Sequence, residues 1–108
     1  MEDLNPIPSL EEWYRRTSED DFLGALSKLA SYGSTDLAEI GWSILSPFGG
    51  DRLSDREAAL QGVMFYLTGK LVRLRYQLSH GIDASDTLHD ITVYSMMARS
   101  ILERGRWG

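Results

Sequence analysis

Between Ser54 and Gly81 the chain carries Leu60, Met64, Leu67, Leu71, Leu74 and Leu78, separated alternately by four and three residues. Only a helix returns such a series to one face, because its 3.6-residue turn brings i, i+3 and i+4 together. A seam of this length predicts a long helix whose leucines pack against other helices. Ser54-Asp55-Arg56-Glu57 is a capping box that opens it, and Gly81 is a suitable stop. Gly62 and Gly69 sit seven apart on one side of the same helix. Glycine inside a helix costs about 1 kcal/mol relative to alanine, a penalty that close approach of another backbone offsets.

The same punctuation recurs along the chain. Ser9-Leu10-Glu11-Glu12, after Pro6 and Pro8, opens a short helix to about Arg15 or Arg16. Ser18-Glu19-Asp20-Asp21 puts acids at the start of a second one, through Phe22, Leu23, Leu26 and Leu29, with Gly33 after Tyr32 as its C-cap. Ser34 or Thr35 starts a third with Leu37, Ile40, Ile44 and Leu45, which Pro47 stops. Phe48 to Leu53, with Gly49 and Gly50, is a loop. Asp83 or Ser85 caps the last helix, which reaches about Arg104 before Gly105. No segment alternates apolar and polar residues for long enough to predict a strand. The expected fold is all-α: an antiparallel helical bundle of four main helices plus a short N-terminal helix, one domain over 1–108.

Composition narrows the function. A formal net charge of −5 argues against general nucleic-acid binding, which needs clustered Lys and Arg. No cysteine is present, which removes disulfides, thiolate metal sites and a cysteine nucleophile. Met1-Glu2-Asp3 lacks the apolar core of a signal peptide, and no apolar run approaches the roughly 20 residues that cross a bilayer. The expectation is a cytoplasmic protein with no membrane association.

Asp86 and Asp90 stand four apart on the last helix, in a row that continues through Val93, Met97 and Ile101. A carboxylate drawn toward an apolar face must find a cation, a metal or donors, since an unpaired buried charge costs several kcal/mol. Across the turn at Gly81, Tyr66, Lys70, Arg73 and Gln77 form a second row at the border between core and water, where cationic heads can turn toward an anion. The two rows together make either a salt-bridge network or a polar pocket. His89 shares a face with Thr92, Met96, Arg99 and Glu103 that reads as solvent-exposed, and no second histidine stands at metal-ligand spacing. Trp107 either folds back onto the bundle or docks on a partner.

Tyr32-Gly33-Ser34-Thr35-Asp36-Leu37, the stretch Met64 to Leu74 around Lys70 and Arg73, and Asp86-Thr87-Leu88-His89-Asp90 with Tyr94 resemble small phage-encoded helical proteins. These are in turn distantly similar to the MazG-like all-α nucleotide pyrophosphohydrolases. The resemblance implies a bundle that holds Mg²⁺ between carboxylates of two helices and cleaves a nucleoside triphosphate to the monophosphate and pyrophosphate. It assigns Asp86 and Asp90 to catalysis, Asp36, Glu39, Asp86 and Asp90 to the metal, and Lys70, Arg73, Tyr66 and Tyr94 to the ligand. It also implies a homo-oligomer. Where the enzymes carry a denser E-E-x-x-E run, this chain has Asp36-x-x-Glu39, and a thinned cluster holds Mg²⁺ more weakly. Three functions follow. The chain is a Mg²⁺-dependent pyrophosphohydrolase, a catalytically inactive protein that sequesters a nucleotide or nucleotide-derived signal, or a small phage protein that binds and inhibits a host protein in the host cytoplasm.

Overall fold

The computed structural model describes residues 7–31, 33–49 and 52–108, so Tyr32, Gly50 and the acidic N-terminal triplet lie outside the described residues. These residues form four α-helices and no strand: α1 Leu10–Ser31, α2 Ser34–Leu45, α3 Asp55–Ser79 and α4 Ser85–Arg104. A 3-10 turn at Ser46–Phe48 ends α2 where Pro47 forbids a further helical hydrogen bond. The all-α reading holds, and three of the four helices begin and end within a residue or two of the sequence reading.

The first helix does not. One continuous helix of 22 residues replaces the short helix and its successor. Nothing in Arg16-Thr17-Ser18 forces a break, as no glycine or proline interrupts the stretch. The capping side chains there leave the helix only when the chain turns, and Ser9 alone caps, its hydroxyl accepting from the Glu12 N–H at 3.1 Å.

The helices pack as α2 on α3, α3 on α4 and α4 on α1. The tightest join is α2 to α3. A Cβ on Gly62 would lie 2.8 Å from the Leu37 carbonyl carbon, and one on Gly41 would lie 2.7 Å from that of Ala58. The two helices therefore meet backbone to backbone, each through its own glycine, with Leu37, Ala38, Ala58, Ala59 and Val63 filling the rest. Gly69 has no such neighbour; a Cβ there would meet nothing within 4 Å. Close approach explains Gly62 and not Gly69.

The long seam is only partly used. Leu60 and Leu67 pack against the core, while Met64, Leu71 and Leu78 are exposed. The residues of α3 that are buried, Ala58, Ala59, Gly62 and Val63, stand in its first half, because α2 is too short to cover the second. On α4 the apolar row is as expected: Val93, Met97 and Ile101 are fully buried, with Tyr94 beside them.

Trp107 folds back. Its backbone N–H donates to the Ser34 hydroxyl, which in turn donates to the Trp107 carbonyl at 2.8 Å, and its ring packs against the core. Among the described residues no helix is long and apolar enough to cross a membrane.

Candidate functional site

The turn at His80–Ala84 carries the chain from α3 into α4. Gly81 supplies the left-handed backbone it requires (φ 65°). Asp83 then takes the first α4 donors: its carboxylate accepts from the Ser85 N–H at 3.0 Å and from the Ser85 hydroxyl at 2.8 Å. These bonds, the backbone one first, hold the Asp83 carboxyl below the usual carboxylate range. The turn thereby sets the register in which the basic row of α3 meets α4.

In that register Lys70 Nζ lies 2.8 Å from Asp90 Oδ2, with both side chains about three-quarters buried (23% and 26% exposed). One turn away the Thr87 hydroxyl donates to Gln77 Oε1 at 2.6 Å. On the other side Tyr66 and Tyr94 stack with ring centroids 5.4 Å apart and planes 5° from parallel. Lys28 of α1 places its ammonium 5.2 Å from the centre of the Tyr94 ring, a cation–π contact. Two polar layers and one aromatic layer thus follow one another along the α3–α4 seam: Gln77 with Thr87, Lys70 with Asp90, Tyr66 with Tyr94.

A groove of about 840 Å³ opens beside this ladder, where α3 outruns the end of α2. Ile44, Met64, Phe65 and Tyr66 give it apolar and aromatic walls; Lys70 and Arg73 give it positive charge. Phe65 meets Tyr66 edge to face at 5.5 Å between centroids. Gly69 lines the same groove and keeps it clear of side-chain bulk. Of the residues read from the sequence as ligand-binding, Tyr66, Lys70 and Arg73 line it directly, and Tyr94 backs Tyr66.

The carboxylates do not converge. Asp36 caps its own helix, accepting from the Gly33 N–H at 3.0 Å, and Glu39 is exposed one turn further on. Asp90 is committed to Lys70. Asp86, one turn earlier on α4, lines a cleft of about 670 Å³ shared with Trp13, Asp20 and Asp21 of α1. Among the described residues no three His, Asp or Glu side chains stand close enough to hold a metal ion. Asp36, Asp86 and Asp90 thus each have different neighbours.

His89 is not the solvent-facing residue its helical row suggested. It is half-buried between α4 and α1, with Nδ1 2.7 Å from Asp21 Oδ1 and its ring against Gly24. The partner comes from 68 positions away, so only tertiary packing reveals it.

Comparison of the chain with protein-family models, with curated proteins and with solved structures gives no match. The geometry of the groove is therefore what carries a functional reading.

Proposed function

We propose that this protein binds a nucleotide or nucleotide-derived anion in the groove along α3. The observation that supports the reading is the convergence of Phe65, Tyr66, Lys70 and Arg73 on one cavity of about 840 Å³, within the size range of small-molecule sites. A purine or pyrimidine ring finds aromatic edges and faces there, and the phosphates find two cations. Arg73, exposed and with a fork of donors, suits a phosphate oxygen pair. Lys70 is already held by Asp90, so its ammonium is positioned before a ligand arrives. Tyr94 and Lys28 stiffen the wall from behind.

On this reading the protein is a sequestering binder built as an antiparallel helical bundle, acting in the cytoplasm, in the host cell if phage-encoded. The dispersal of the four carboxylates favours binding over Mg²⁺-dependent hydrolysis. The experiment is a thermal-shift and turnover panel of nucleoside mono-, di- and triphosphates, with and without Mg²⁺. At a hundredfold excess over Kd a ligand adds about 2.7 kcal/mol, roughly 10 °C in Tm for a domain of this size. Arg73→Ala should remove that shift and leave the free protein's Tm unchanged. Release of pyrophosphate would instead support the pyrophosphohydrolase reading, and absence of both shift and turnover the host-protein reading.

A further inference from the structure

Lys70 and Arg73 are the cations that line the groove along α3, and no Asp or Glu lines it. Behind Lys70, however, Asp90 Oδ2 stands 2.8 Å from the ammonium, and the two formal charges sum to zero. Among the described residues Arg73 stands in no ion pair, so its guanidinium is the groove's uncompensated charge. Two further features hold the local field down. α2 ends at Leu45, beside the groove wall at Ile44, and no basic residue in its last turn offsets the negative end of its dipole. The whole chain adds a net charge of −5, which disfavours the approach of polyanions.

We propose that the groove selects a phosphodiester, with a single negative charge on its phosphate, over phosphate monoesters and triphosphates, and that Asp90 sets this preference. This rests on the nucleotide-binding reading of the groove and narrows it to nucleotides closed or joined through a diester, a cyclic nucleotide or a dinucleotide. A diester phosphate carries one charge, as each phosphate of a nucleic-acid backbone does. A monoester carries about 1.5 to 2 at neutral pH, with its second pKa about 6. A triphosphate carries more. Arg73 matches one charge. A second charge would have to shed water beside an ammonium whose field the Asp90 carboxylate already cancels. Lys70 still serves a diester, since its ammonium has three donors and Asp90 accepts one of them. The pair thus offers a directed hydrogen bond without net charge. For the base and ribose, Ile44, Met64 and Phe65 are 41%, 48% and 55% exposed along the walls, apolar surface that a ligand would cover.

Isothermal titration calorimetry with matched probes tests the preference. For each of the four ribonucleosides the probes are the 5′-monophosphate, its methyl diester and the triphosphate, without Mg²⁺. At pH 7.5 the methyl diester should bind about tenfold tighter, or more, than the monophosphate or triphosphate of the same base. At pH 5.5 the monophosphate approaches a single charge, and its deficit against the diester, whose charge does not change, should shrink to under about threefold. Asp90→Asn frees the Lys70 charge and should move the monophosphate-to-diester affinity ratio about tenfold toward the monophosphate at pH 7.5. A merely structural role for Asp90 would weaken both ligands alike. The pH comparison needs no variant, so it decides the matter even where Asp90→Asn fails to fold. The 3′,5′-cyclic monophosphate and the dinucleoside monophosphate each carry one charge, and the tighter of the two identifies the source of the diester. A monophosphate or triphosphate that binds as tightly as the diester at pH 7.5 would overturn the proposal and leave nucleotide binding in the groove standing. So would a monophosphate-to-diester ratio that pH does not move. No binding by any probe would overturn both.

Discussion

Replacing Asp90 by Asn leaves the side-chain shape and removes the charge that Lys70 faces at 2.8 Å. Two groups of opposite charge, each about three-quarters buried, attract more than a surface pair does, for which 0.2–1 kcal/mol is typical. Against that stands their own desolvation, which a fully buried pair barely recovers. A net contribution of about 1 kcal/mol results, and Asn also leaves the half-buried ammonium of Lys70 without its partner. For 108 residues the unfolding entropy is about 0.23 kcal/mol/K, so Asp90→Asn should lower Tm by about 4 °C. Thermal melts of the wild type, Asp90→Asn, Lys70→Gln and the double variant, monitored at 222 nm, give the coupling directly. It should be about 1 kcal/mol and shrink by less than half in 0.5 M salt, because the pair is sheltered. An Asp90→Asn protein that melts at or above the wild type would refute this. It would mean that Asp90 sits in net repulsion, as a carboxylate awaiting a metal or donor would.

Gly62→Ala forces its new methyl into the Leu37 carbonyl and must part α2 from α3. Overpacking of about 3 kcal/mol less about 1 kcal/mol of helix propensity predicts a Tm roughly 9 °C lower; a Tm at or above wild type would show that the two helices are not in backbone contact. Asp83 has its carboxyl pKa lowered in the folded state, so its contribution is present above the unfolded value and is lost as pH falls through the folded one. Asp83→Ala should therefore melt below the wild type at pH 7, and the gap should close as pH falls through the lowered folded value. A gap that persists in acid would assign the effect to something other than the carboxylate's bonds to Ser85. Leu37→Ala, at a fully buried position, should cost about 2–5 kcal/mol by calorimetry or denaturant titration, and a loss under 1 kcal/mol would place Leu37 outside the core.

What could be read from the sequence is what local chemistry decides. Ser54 and Glu57 form their capping box as the spacing implies, the Ser54 hydroxyl accepting from the Glu57 N–H at 3.2 Å. Gly105 takes the left-handed C-cap conformation at the end of α4, at φ 87°. The row of Val93, Met97 and Ile101 was legible because one helix face meets one core. That Tyr66, Lys70 and Arg73 line one groove was legible for the same reason, since they share a helix. What escaped depends on how far each helix overlaps its neighbour. The leucine seam of α3 has the right period along its whole length, yet α2 spans only 12 residues and covers half of it. Asp86 and Asp90 share a row on paper, but α1 lies on one side of α4 and α3 on the other, and the two carboxylates point to different neighbours. His89 was misread because its helical neighbours are exposed, while α1, remote in sequence, covers the ring itself.

α1 packs on α4 through a short stretch around Asp21, Gly24, Ala25 and Lys28. At 1.5 Å per residue its 22 residues extend about 33 Å, so more than a turn at its start projects past that patch. The anchor acts as a clasp near one end of a lever. Thermal agitation can peel this helix without disturbing the glycine-locked α2–α3 pair, and backbone amides should trade hydrogen for deuterium in that order. Those near Trp13 should exchange first, those near Ala25 next, and those around Val63 only when the entire chain opens. A protease would meet the same hierarchy, cutting within α1 long before it reaches α3.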